Sequence, residues 1–205
     1  MSPEQAVLPT KLPGLVLLPR GRLDPVDVCE YEEMLRTPGI LDDTLRRVEN
    51  GVDFVLLDTP SGLGPATRAA FSSADFVLLP FAAEALALRS VSQVLRVLEH
   101  VKEEENPRLR LLGFLPTMVE KGKAFSLTVL GEIWSGFGGV LETVIPRVDV
   151  FHEASLKGLP VAFLPGPVSP EARRFDLLAA EVDLLVARMS PDVSPAGARA
   201  QRELL

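Results

Sequence analysis

The chain has 205 residues, enough for one well-buried domain and short for two. Hydrophobic residues make up 47% and charged residues 24%, the balance of a globular protein rather than a disordered one. With 28 acidic against 21 basic residues the net charge is −7, a poor electrostatic footprint for nucleic acid, although a total does not exclude a local basic patch.

One cysteine, Cys29, allows neither an intramolecular disulfide nor a thiolate metal cluster. The longest apolar runs, such as 76–83, are too short to cross a bilayer, and no basic-then-apolar leader opens the sequence. The expectation is a cytoplasmic protein with no membrane association.

In chain order, residues 1–12 carry Pro3 and Pro9 and read as a flexible lead-in. GLVLLPRG (14–21) reads as a strand closed by Pro19. Asp24 and Pro25 start a helix through about Arg36, with aspartate as N-cap and proline in the first turn. A second helix runs from about Pro38 to Glu49 and stops at Asn50-Gly51. VDFVLLD (52–58) reads as a strand covered on both faces, because Phe54 to Leu57 are apolar without alternation. A short helix over ATRAAFSSA leads into a third strand, DFVLLPF (75–81). Residues 86–105 have apolar positions at helical spacing, and LRLLGFLPTM (109–118) is the next strand. A helix over 125–137 contains Trp134 and stops at Gly138-Gly139. LETVIP (141–146) and PVAFLP (160–165) read as short strands, with a single helical turn, HEASLKG, between them. The last helix follows Ser169 and Pro170 to Met189. Residues 13–189 form one expected domain, and 190–205 an expected disordered tail. Alternation at βα spacing predicts an α/β fold, a mostly parallel sheet with helices on both faces.

Asp58 ends its strand at the edge where such folds bind ligands. A carboxylate so placed holds Mg²⁺ beside a nucleotide triphosphate when a Gly-rich loop, G-x-x-x-x-G-K-[ST], cradles the phosphates. These residues contain no such loop, so a turn aspartate capping the amides of Gly62 or Gly64 is the favoured reading. Gly122-Lys123 continues as Ala124-Phe125 and offers neither a glycine nest nor a Mg²⁺-binding hydroxyl. His152 beside Glu153 lacks further ligands, so no metal site is expected. Cys29 reads as a small core residue, and His100 as surface. Ser61 has no histidine and aspartate set to make it a nucleophile.

Four blocks, VDFVLLDTPSGLG, SADFVLLPFAAEALALRSVSQVLRVLEHV, LRLLGFLPTM and TVIPRVDVFHEASLKGLPV, resemble in order and spacing the ParA/MinD (Soj-like) family of deviant-Walker-A ATPases. The likeness runs from about Leu15 to Val186. It implies a P-loop NTPase-like fold of the SIMIBI type, here without the N-terminal P-loop unit. It implies that Asp58, Thr59, Pro60, Gly62 and Gly64 are the nucleotide and Mg²⁺ side. Thr117, Met118, Ile145, Pro146 and Arg147 would then line the adenine side. Glu84, Trp134 and Phe151 are candidate interface residues.

Without converging amides and a lysine to compensate triphosphate charge, independent ATP hydrolysis is not expected. The expectation is a pseudo-ATPase adaptor without cofactor. It would act through protein partners, as a homodimer or heterodimer, in partitioning or positioning a cellular assembly. DNA binding is expected to be weak or absent, because Arg147, Lys157, Arg173 and Arg174 have acidic neighbours. The alternative is a piece of an active, DNA-segregating partition ATPase using ATP and Mg²⁺.

Overall fold

The structure is a computed structural model that describes residues 2–21, 24–84, 87–120, 122 and 124–190. The expected tail beyond Ser190 and Lys123 lie outside the described residues. The described residues group into two compact units, one from 1–75 with 96–109, the other from 76–95 with 110–190.

In the first unit a helical turn, α1 (Pro3–Ala6), and a two-residue strand, β1 (Leu8–Pro9), occupy the expected lead-in. β1 pairs antiparallel with β2 (Val16–Leu17), so only two residues of the strand read over 14–21 form a ladder. Helix α2 (Pro25–Met34) starts as read: the Asp24 carboxylate accepts from the amides of Val26 and Asp27. Helix α3 (Ile40–Val48) follows, and the chain leaves it through Gly51, whose φ of 84° is the left-handed geometry glycine tolerates.

The strand expected over 52–58 does not form. Residues 54–60 belong to no ladder, and Phe54, Val55 and Leu56 are 55%, 44% and 88% exposed. β-branched and aromatic content gives strand propensity, but a strand exists only where a neighbour accepts its hydrogen bonds, and none does among the described residues. Helix α4 (Pro65–Ser73) closes this stretch.

In the second unit β3 (Phe76–Ala82) and β4 (Arg110–Thr117) pair in parallel, the α/β arrangement read from the sequence. Helix α5 (Ala87–Glu104) connects them; its first part belongs to the second unit and its last part to the first. The register slips between Val77 and Leu78, so that Gly113 follows a bulge at Leu112. A Cβ at Gly113 would lie 2.6 Å from the Gly139 carbonyl oxygen, so only glycine admits this approach.

Helix α6 (Ala124–Phe137) ends at Gly138 and Gly139, both left-handed with φ 65°. The strand expected at 141–146 appears as two parallel bridges to β4 and its extension, Phe114 with Val140 and Val119 with Pro146. Helix α7 (Asp149–Lys157) is longer than the single turn expected. Residues 160–165 are not a strand. Pro160 and Pro165 lack donors, and Val161–Phe163 makes a 3₁₀ turn. Helix α8 (Arg173–Met189) completes the unit.

The second unit's core is Phe81, Val91, Phe114, Val129 and Ile133, with Leu79, Leu95, Leu111, Leu130 and Val140 packed around it. In the first unit Leu35, Leu45, Ala70, Phe71, Leu98, Val101 and Leu109 are buried. Cys29, expected in the core, is exposed. Its helix α2 contributes only Leu35, at the C-cap, to the buried set.

Candidate functional site

Residues of the expected nucleotide and Mg²⁺ side sit on the exposed segment before α4. Asp58, Thr59, Pro60, Gly62 and Gly64 are all exposed. The turn-capping role weighed for Asp58 is not formed: among the described residues no hydrogen bond joins its carboxylate to the amide of Gly62 or Gly64. The turn is instead held by Thr67, whose hydroxyl donates to the Gly62 carbonyl at 2.8 Å. Gly62 has φ 105°, and Gly64 is the N-cap of α4 with Pro65 at the first helical position.

The residues of the expected adenine side converge. Thr117, Met118, Ile145, Pro146 and Arg147 line one open pocket of about 480 Å³, together with Val148, Phe151 and His152 from the start of α7. Its frame is set by backbone bonds from β4 and its extension: the Ile145 amide to the Pro116 carbonyl at 2.9 Å, and the Arg147 amide to the Val119 carbonyl at 3.0 Å. Thr117 donates through its hydroxyl to the Phe81 carbonyl at 2.9 Å, which fixes the end of β3.

Met118 has φ 52°, the one positive φ at a non-glycine residue among those described. Such angles cost about 1–3 kcal/mol and collect at ligand sites. The Arg147 guanidinium donates to Glu84 at 2.7 Å, lies 3.6 Å from the Met118 sulfur, and has Glu120 at 3.7 Å. Glu84, read as an interface candidate, is therefore an ion-pair partner of the pocket's arginine.

The other interface candidates differ in setting. Trp134 is 61% exposed on α6. Phe151 is half-buried, in an edge-on contact with Phe175 at 6.1 Å between ring centroids. His152 and Glu153 do not act together: His152 lines the pocket and Glu153 pairs with Lys157 at 2.6 Å.

Val148, Phe151 and His152 were not assigned to the pocket from sequence. Their i, i+3, i+4 spacing was the available signal, since those positions share one helix face. Asn106 was missed altogether. It is buried, donates to the carbonyls of Phe71 (3.0 Å) and Ala74 (2.7 Å), and pins the end of α4.

A family model described as AAA domain matches residues 7–111. The chromosome-partitioning ATPase Soj of Thermus thermophilus is 40% identical over 151 residues, covering 73% of this chain and 59% of its own length. Among solved structures, the cell division ATPase MinD of Pyrococcus furiosus is 25% identical with a TM-score of 0.69, covering 90% of this chain and 72% of that one. The chain belongs to the ParA/MinD family.

A second solved structure, cobyrinic acid a,c-diamide synthase from Mycobacterium smegmatis with bound ADP and magnesium, is 28% identical with a TM-score of 0.66. It covers 93% of this chain and 67% of that one. These likenesses bear out the α/β, P-loop NTPase-like fold of this ParA/MinD family member. The chain spans about 59% of the length of its Soj relative. No described helix of this ParA/MinD family member is long and apolar enough to cross a membrane.

Proposed function

We propose that this chain serves, in the cytoplasm, in partitioning or positioning a cellular assembly, and that it does so by contacting other proteins rather than by hydrolysing ATP itself. The Soj relative's name supports the process. The adaptor reading rests on one observation: Phe54, Val55 and Leu56 lead into Asp58 as an exposed, unpaired apolar segment. Contiguous apolar surface of this kind marks a place where further polypeptide packs. The sequence also lacks a G-x-x-x-x-G-K-[ST] loop to balance triphosphate charge beside Asp58. Weak DNA binding is supported by cations paired with carboxylates, Arg147 with Glu84 and Lys157 with Glu153.

Thermal denaturation with and without ATP and magnesium tests this reading. A ligand at a hundred times its Kd adds about 2.7 kcal/mol and raises the melting temperature visibly. The adaptor reading expects no rise; a clear one overturns it.

The pocket supports a second reading, in which this chain supplies the adenine side of a site whose phosphate side lies in a longer polypeptide. Saturable binding of adenosine, lost in Arg147→Ala, is its expected signature. A gel-shift titration at low salt tests the DNA part, with no shift expected.

A further inference from the structure

We propose that His152 recognises the polar edge of an uncharged heteroaromatic base held in the open pocket at the start of α7. This rests on the reading in which the pocket is the adenine side of a longer site, and it assigns the side chain that selects the base.

Three of the side chains lining that pocket are polar: Thr117, Arg147 and His152. Two are committed to the protein. Thr117 spends its one hydroxyl proton on the Phe81 carbonyl at 2.9 Å. Arg147 is turned to Glu84 at 2.7 Å, with Glu120 at 3.7 Å, so carboxylates balance its charge. His152 is exposed and makes no hydrogen bond or ion pair among the described residues.

The rest of the lining is apolar: Met118, Ile145, Pro146, Val148 and Phe151. A flat ring finds contact there but no orientation, which the few polar groups of a site must supply. A neutral imidazole offers one donor and one acceptor, and so suits a base edge that carries both. With Arg147 balanced by carboxylates, the lining favours a neutral ring over an anionic one. Helix α7 holds His152 in place, because Phe151 meets Phe175 edge-on at 6.1 Å between centroids and Ala154 is buried. A side chain on a packed helix is positioned more closely than one on a loop.

Calorimetric titration of the full chain tests this, with adenosine and with benzimidazole riboside, whose six-membered ring has no hydrogen-bonding atom. His152→Phe keeps a ring and removes its hydrogen bonds. Adenosine should bind that variant about three- to tenfold more weakly, the worth of one net hydrogen bond, while benzimidazole riboside binds both chains equally. His152→Gln, which keeps a donor and an acceptor, should retain most of adenosine's advantage. Equal binding of adenosine by the parent and His152→Phe overturns the proposal and leaves the adenine-side reading standing. So does an equal loss of both ligands, which makes the ring a wall only, or a loss in His152→Gln as large as in His152→Phe. A parent chain that binds neither ligand ends the adenine-side reading, and this assignment with it.

Discussion

The Arg147 guanidinium donates to Glu84 at 2.7 Å and so couples the pocket's arginine to the residue just past β3. The side chains are 50% and 61% exposed, and water screens such pairs. Glu84→Gln is therefore expected to lower stability by less than about 1 kcal/mol in urea denaturation. A larger loss shows that the pair is a structural strut.

Asn106→Leu removes a buried donor from the carbonyls of Phe71 and Ala74. Leaving buried acceptors unsatisfied costs about 1–3 kcal/mol. The expected urea-midpoint shift lies at the upper end of that range, since two bonds go at once.

Gly113→Ala brings a methyl group against the Gly139 carbonyl and the Leu141 side chain. The segment from 139 to 141, which bonds to Phe114 on both its amide and its carbonyl, must then move away from β4. Overpacking of this kind costs about 1–3 kcal/mol. Calorimetry should show a lower melting temperature, and an unchanged one disproves the close approach.

Glu105 sets an acid limit. Burial alone would raise its pKa, but the Ser72 hydroxyl and the Arg68 guanidinium, with His100 nearby, hold it below its ordinary value of 4.5. A carboxyl lowered in the folded state contributes stability above its unfolded value and loses it as pH falls through the folded value. In Ser72→Ala, stability should therefore fall relative to the parent at pH 7, and the difference should shrink below pH 4.5.

Leu56→Asp and Ile133→Ala should separate surface from core. Leu56 is 88% exposed and Ile133 fully buried. The first change should leave stability within about 0.5 kcal/mol in urea denaturation. The second should cost about 2–5 kcal/mol by the same measurement.

The helices and the β3–β4 pair were legible because their signals are local: caps such as Asp24, terminating glycines such as Gly51, and apolar spacing along α5. The pocket residues Thr117, Met118, Ile145, Pro146 and Arg147 were grouped through family resemblance, since no local pattern joins 117 to 147. What failed was partner-dependent. Phe54 to Leu57 carry the composition of a buried strand, but composition does not supply a neighbour. PVAFLP looked extended until its prolines made it a turn. Cys29 looked buried because residue type, not helix placement, was the only clue.

Met118 keeps a backbone angle that most side chains avoid, at a position that lines the pocket. A glycine there would relax the main chain and erase that lining; a valine would keep bulk and deepen the strain. Few substitutions satisfy both the backbone angle and the lining that this position supplies.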